Sequence, residues 1–271
     1  MVDSATAIDE LVAMVTASAK YRHVADGLVR RIGTAELAKR RTIVDAVKAT
    51  KNKLHQVAGA YLALAPHYGQ WSKELAAAAA DPEPATVRLG ARRIMDAHAS
   101  TRERLGFLDT FYAEIFATLP PVNSIADIAC GFNPLAIPWL PLLPGTTYYA
   151  YDVYADMMAF LDSFMRLTEV NGHAVVHDVL DTAGLPHVDV ALLLKAIPCL
   201  EQIDKSAGAQ LLAAVPAGHL VVSYPVQSLG GRQKGMAANY EARFKELVAP
   251  WDWPVTRLEF PTELVFIVRK I

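Results

Sequence analysis

Three carboxylates in the second half of the chain fall where short apolar runs end: Asp127 in "SIADIA", Asp152 in "TYYAYD" and Asp178 in "HAVVHD". If those runs are strands of an open α/β sheet, the acids stand at the carboxyl ends, where such sheets bind ligands. Asp152 lies 21 residues after Gly131, the single glycine of the turn that follows the first run. At about that spacing an acid accepts hydrogen bonds from both hydroxyls of a ribose, although the same residue would also cap a helix starting after it. Asp178 is suited to an adenine amino group. Carboxylates at successive strand ends point to a nucleoside site more strongly than any one of them. Lys195 ends a fourth run, "VDVALLLK". An ammonium reached through an apolar strand either touches a cofactor or target, or is paired with a neighbouring acid.

A second kind of chemistry is offered by "SLGGRQKGM", residues Ser228 to Met236, after the fifth run. Its glycines, with Arg232 and Lys234, make a basic loop that can present N–H groups and cations to phosphates or a base edge. The glycine–lysine spacing is not that of a P-loop. Cys199 reads as a small buried side chain rather than a nucleophile. Neither the two cysteines nor the eight histidines show metal-ligand spacing, so no metal site is expected.

These residues need a scaffold, and the chain has two rhythms. From Pro120 onward, short β-rich runs alternate with helical segments expected at Tyr154–Val170, Lys205–Val215 and Met236–Val248. The runs are the four already named with "HLVVSYP", "VTRLEF" and "ELVFIVRK". This alternation predicts a mainly parallel α/β sheet with helices on both faces. The last two runs are separated only by Pro261–Thr262, too short for a crossover helix, which predicts a closing antiparallel hairpin. That combination looks like the class I methyltransferase fold. The first hundred residues instead carry apolar positions at spacings of three and four, in "DELVAMVTASAK", in residues 33–62 and in residues 85–119, and are expected to be helical. "AAAAADPEP" reads as a helix end and linker. The expected division is a helical unit, residues 1–106, and a catalytic unit, residues 107–271.

Charge divides the chain in the same way. Residues 1–106 hold 16 Lys/Arg against 11 Asp/Glu, residues 107–271 hold 10 against 17, and residues 20–53 alone hold 10 basic and 3 acidic side chains. Such a cluster is either an ordinary solvated helix face or the footprint of a phosphate backbone. No apolar run reaches the length of a membrane span, the first residues lack the pattern of a signal peptide, and two cysteines suit a reducing compartment. A soluble, cytoplasmic monomer is expected.

The stretches "DIACGFNPLAIPW", "LLLKAIPCLEQ", "SLGGRQKGM", "KNKLHQ" and "HASTRERL" together resemble the aminoglycoside-resistance 16S rRNA (guanine(1405)-N(7))-methyltransferases. The resemblance covers most of the chain. It implies that the glycine-poor turn is a variant S-adenosylmethionine loop, departing from the more glycine-rich turn of most methyltransferases of this fold. It further implies that Arg104 binds the methionine carboxylate, that Ala129, Gly131 and Leu194 line the cofactor, and that Asp152 and Asp178 take ribose and adenine. Lys51, Lys53, Arg232 and Lys234 would face RNA, with the basic helices docking on the 30S subunit. Methylation there would confer resistance to 4,6-disubstituted deoxystreptamines such as kanamycin and gentamicin.

Guanine N7 carries a free in-plane lone pair and no proton at neutral pH, so such a reaction requires positioning rather than a general base, and no catalytic side chain is assigned. Two other functions fit the residues less well. A small-molecule methyltransferase of the same fold leaves the basic helices without a role. A noncatalytic RNA-binding module would have no reason to keep Asp152 and Asp178.

Overall fold

The computed structural model describes residues 4–57, 59–61, 66–81, 83–226 and 235–271. All seven apolar runs are strands: β1 (Ser124–Ile128), β2 (Thr147–Asp152), β3 (Asn171–Val176), β4 (Val188–Leu194), β5 (Ala217–Pro225), β6 (Val255–Phe260) and β7 (Glu263–Arg269). They form one sheet in the order β3-β2-β1-β4-β5-β7-β6. The first five pair in parallel, and β7 runs antiparallel to both β5 and β6. The sheet therefore has the topology of a class I methyltransferase, closing hairpin included. Burial explains the strand order. β7, apolar throughout in "LVFIV", is buried along all but its last residue, whereas β6 exposes most of its length. The continuous apolar run takes the inner position and the mixed one takes the edge. β3, at the other edge, starts two residues earlier than "HAVVHD" and stops at Val176, so Asp178 lies beyond the strand rather than at its last position.

The helices of the first half are α1 (Ser4–Thr16), α2 (Asp26–Leu37), α3 (Ile43–Val57), α4 (Tyr68–Ala79), α5 (Pro84–Met95), α6 (Ala99–Arg102) and α7 (Leu108–Ala117). The two long helical stretches of the sequence are each interrupted. Before α3, the Thr42 hydroxyl accepts the Asp45 N–H at 3.1 Å and donates to the Asp45 carboxylate at 2.7 Å, a capping arrangement that starts a new helix. After α5, the Thr101 hydroxyl donates to the Met95 carbonyl at 2.6 Å, satisfying a free helix end and turning the chain into α6. In the second half come α8 (Ala155–Leu167), α9 (Ile197–Leu200), α10 (Ala207–Ala214) and α11 (Met236–Val248).

Strand alternation sorts the core into two layers. Ile125, Leu192 and Leu194 face α4, α5, α7 and α8, packing with Leu75, Ile94, Phe111 and Phe160. Ala126, Ile128 and Leu193 face the opposite layer, with Leu211 of α10 and Phe244 of α11. A third cluster, including Leu11, Val29 and Leu54, holds α1, α2 and α3 together. Thus α4 and α5 share the core of the sheet, while α1–α3 have a core of their own. An isolated antiparallel bridge, Val24 with Tyr154, joins that bundle to the loop after β2.

Candidate active site

A cleft of about 950 Å³, counting its open mouth, lies at the carboxyl ends of β1, β2 and β4. Its floor is made by the turn after β1. Ala129 (φ 54°) and Gly131 (φ 51°) both adopt the left-handed conformation, and so does Lys195 (φ 57°) at the end of β4. Two of the three non-glycine residues in this region among the described residues therefore border one cleft. Backbone of this kind costs energy and persists where the surroundings over-determine it. Gly131 is constrained twice: a Cβ there would lie 2.9 Å from the His98 ring, besides the strain of its positive φ. Its N–H donates to Asp152 at 2.9 Å, while the other Asp152 oxygen accepts the Val153 N–H at 2.7 Å. Asp152 thus joins the turns after β1 and β2. Burial raises its pKa, partly offset by these backbone bonds. Beyond Gly131, residues Asn133–Trp139, with Pro134 and Pro138, form a 3₁₀ segment rather than the α-helix expected after a nucleotide-binding turn.

A buried charge network backs the cleft. Arg104, only 1 % exposed, donates through Nε (3.1 Å) and Nη2 (2.7 Å) to both oxygens of Glu263, and through Nη1 to Asn133 at 2.8 Å. Asn133 in turn donates to Asp127 at 2.9 Å, and Tyr148 donates to the same oxygen at 2.6 Å. Lys195 donates to Glu103 and to the Ser100 carbonyl, both at 2.8 Å, and lies 3.6 Å from Glu263. Of the two expectations for Lys195, pairing with an acid is therefore realised, at the cleft wall. Burial opposes the charge on Arg104, but Glu263 outweighs it and the guanidinium pKa is raised. Glu263 itself is held below the usual range, because Arg104 and Lys195 overcome the burial that would raise it.

Asp127 is different. Burial pushes its pKa up to about 6, against the bonds from Tyr148 and Asn133, and its Oδ1 has no partner among the described residues. A carboxyl raised from about 3.9 contributes stability that is full below the unfolded value and is lost as pH rises through the folded value. Wild type is therefore expected to lose about 2 kcal/mol relative to Asp127→Asn between about pH 4 and 7. His98, lowered to about 3 by burial and by Lys195, acts in the opposite direction but is common to both proteins. Urea unfolding of the pair at the two pH values measures the difference; parallel behaviour would mean that Asp127 does not ionise in this range.

Asp178 and Leu194 line the cleft with Arg104, Ala129, Gly131, Asp152 and Lys195. Asp178 accepts the Leu180 N–H at 3.1 Å and a 2.8 Å bond from Arg31 of α2. Lys51 donates to Ser18 at 2.5 Å and Lys53 to the Gln202 carbonyl at 3.2 Å, so neither has an acidic partner in these bonds. Arg232 and Lys234 lie outside the described residues. Sequence reading misses Tyr61 and His98, whose rings stack 6.0 Å apart on the cleft wall, and the Tyr61–Cys199 contact at 2.9 Å. It also misses Leu28 and Val57, by which the α1–α3 bundle forms part of the same wall. The donor set fits a nucleoside: carboxylates at the end of β2 and after β3, apolar walls between them, and a close backbone turn after β1.

Comparison with known proteins agrees. The family model "Ribosomal RNA methyltransferase (FmrO)" matches residues 17–267. A 16S rRNA (guanine(1405)-N(7))-methyltransferase of Micromonospora rosea is 40 % identical over 266 residues, covering 97 % of each chain. One from Micromonospora echinospora is 38 % identical over 265 residues, again 97 % of each. Among solved structures, the 16S rRNA methyltransferase RmtF in complex with S-adenosyl-L-homocysteine superposes with a TM-score of 0.79 at 29 % identity, covering 100 % of this chain and 99 % of that one. With the sheet order, Asp152 and Asp178 in the cleft and these matches in agreement, the chain belongs to the FmrO family of ribosomal RNA methyltransferases.

Proposed function

We propose that this chain transfers a methyl group from S-adenosylmethionine to N7 of guanine 1405 of 16S rRNA in the 30S subunit, and so confers resistance to 4,6-disubstituted deoxystreptamine aminoglycosides. The observation that carries this reading is end-to-end similarity, at 38–40 % identity, to relatives named for that reaction. A methylated N7 can no longer accept a hydrogen bond and leaves a positive charge on the base, which repels a polycationic drug.

When bound, S-adenosylmethionine supplies an electrophilic methyl on a sulfonium. The protein positions and desolvates. Asp152 accepts the ribose hydroxyls, Asp178 the adenine amino group, and Arg104, held by Glu263 and Asn133, faces the methionine carboxylate. Leu28, Val57, Leu194 and Leu200 exclude water from the walls. His98 stays neutral near pH 7, so it adds no further cation beside Arg104 and Lys195. Fixing the reactants in line can contribute roughly 7–11 kcal/mol, by analogy with intramolecular reactions. Extruding the guanine from its stack costs a few kcal/mol. Incubating purified 30S subunits with labelled cofactor and mapping the modified base tests the assignment: a single mark at guanine 1405 is expected, and label elsewhere, or none, refutes it.

Within residues 1–106 we assign docking to α1–α3, which carry the basic cluster on a core of their own, and support of the sheet to α4 and α5. Arg22, Arg30, Arg31, Lys39, Arg40, Arg41 and Lys48 are exposed. Reversing Lys51 and Lys53 to Glu is expected to weaken 30S binding and to flatten its salt dependence, by just under one unit of slope for each phosphate no longer neutralised. Binding measured at two salt concentrations checks this; unchanged affinity at both means that this face is solvated surface. Action on ribosomal subunits implies a cytoplasmic protein with the 30S subunit as its partner, and we propose that it acts as a monomer. Among the described residues no helix is long and apolar enough to cross a membrane.

A further inference from the structure

The bundle that carries the basic cluster touches Asp178 directly and reaches Asp152 through the residues that follow it. Ala25 N–H donates to the Val153 carbonyl at 2.7 Å, and Ala155 N–H to the His23 carbonyl at 2.8 Å, so the segment before α2 is stitched to the residues just after Asp152. One turn further on, α2 passes close to Asp178: a Cβ on Gly27 would lie 3.8 Å from the Asp178 Cβ. Arg31 completes the contact, with Nε 2.8 Å from Asp178 Oδ2. The two ends of this pair differ sharply in exposure. The Asp178 side chain is 9 % exposed and the Arg31 side chain 42 %. The carboxylate faces the cleft while the guanidinium reaches the surface, on the helix that also carries the exposed Arg30.

A guanidinium is a planar fork of five donors. The Asp178 bond uses the side-on Nε, which leaves the outer edge of the fork, with its two terminal nitrogens, for a second anion. Asp204 also senses the Arg31 charge, but its carboxyl is held low first by its bonds from Ser206 and only then by Arg31. Asp204 is fully exposed and engaged with Ser206, at 2.6 Å from its hydroxyl and 2.8 Å from its N–H. A phosphate oxygen can therefore take the outer edge without displacing the Asp178 bond.

We infer that Arg31 bridges the adenine-side carboxylate and a phosphate of the RNA backbone, so that cofactor and 30S subunit bind with positive coupling. This rests on the reading of the cleft as a nucleoside site and of α1–α3 as the docking surface. An adenine amino group donating to Asp178 adds a third donor to a carboxylate already holding Leu180 N–H and Arg31. The carboxylate is then fixed, and the guanidinium with it, before the phosphate arrives. Coupling of this kind is reciprocal: whatever factor the cofactor gives to 30S affinity, the 30S subunit gives to the cofactor.

The experiment measures 30S affinity of the full chain with and without saturating S-adenosylhomocysteine, for wild type, Arg31→Ala and Arg31→Lys. The ratio of the two affinities within each protein cancels any change in intrinsic RNA binding. The expected ratio for wild type is about fivefold, at the lower end of ordinary coupling. In Arg31→Ala it falls to one. In Arg31→Lys, which keeps the charge but has no second edge, it falls to one as well. A wild-type ratio of one, an Ala variant coupled like wild type, or a Lys variant coupled like wild type each overturns the bridge. S-adenosylhomocysteine affinity of Asp178→Ala separates the layers. If it is weakened while the wild-type ratio is one, only the bridge fails. If it is unchanged, the adenine role of Asp178 fails, and the bridge with it.

Discussion

Glu263→Ala is expected to destabilise the protein by about 3–5 kcal/mol, the largest single effect the structure implies outside its hydrophobic core. Glu263 is 0 % exposed and faces Arg104 at 1 % and Lys195 at 7 %. Its carboxylate holds the guanidinium bidentately and accepts the Ser223 hydroxyl at 2.5 Å. Removing it leaves Arg104 without a direct carboxylate partner in the interior, and Lys195 with Glu103 alone. Against a total stability of about 5–15 kcal/mol, such a loss lowers the urea midpoint severely. Glu263→Gln keeps the shape and one acceptor, and should fall between wild type and alanine, so the comparison survives poor expression of the alanine variant. Because the folded-state pKa of Glu263 is depressed, its contribution is complete above the unfolded value of about 4.3 and declines as pH falls below it. A loss below about 1 kcal/mol in both variants at pH 7 would mean that the buried charges are satisfied without it.

Asp152→Ala is expected to weaken S-adenosylhomocysteine binding by about 100- to 10,000-fold, on the basis of two charge-assisted hydrogen bonds to ribose hydroxyls at about 1.5–3 kcal/mol each. The carboxylate also fixes the N–H groups of Gly131 and Val153, so its removal loosens the cofactor turn as well as the grip on the ribose. Fold stability should change less than in Glu263→Ala, because the bonds lost go to backbone N–H groups and none to a buried cation. Titration calorimetry reads the affinity, and unfolding curves the stability. Cofactor affinity within about threefold of wild type, on a folded variant, would remove Asp152 from the site.

Much of this architecture is written locally. "VDVALLL" and "ELVFIV" are apolar on both faces, as buried strands must be, and the two residues between β6 and β7 admit nothing but a hairpin. The positions of Asp152 and Lys195 follow from "TYYAYD" and "VDVALLLK", since Asp152 ends β2 and Lys195 comes directly after β4. What is not legible depends on partners far apart in the chain. Nothing around Glu263 distinguishes it from a surface acid at a turn; only the folded sheet sets it beside Arg104. Arg31 reads as one member of a basic helix face, and Asp178 as the end of a strand; only the path of α2 over the cleft brings them together. The break before α3 is readable from Thr42 and Asp45, but the apolar spacing on either side hides it. His98 gives no signal, because its position is set by Gly131, a glycine that by sequence serves a ligand alone.

The placement of β7 between β5 and β6 has a consequence for how the protein is made. Arg104 and Glu263 are 159 residues apart. At synthesis rates of about 5–20 residues per second, the arginine waits roughly 10–30 s for its carboxylate. During that interval β5 presents an unpaired edge, and β6 has no neighbour to join until the strand that follows it has been made. A product terminated early, just short of Glu263, would carry Asp127, Asp152 and Asp178 in full, yet would hold an arginine without its buried counter-ion beside an open strand edge. Exposed edges of that kind recruit other chains. Truncations in this last stretch should therefore appear as insoluble protein rather than as soluble enzyme with weakened cofactor binding.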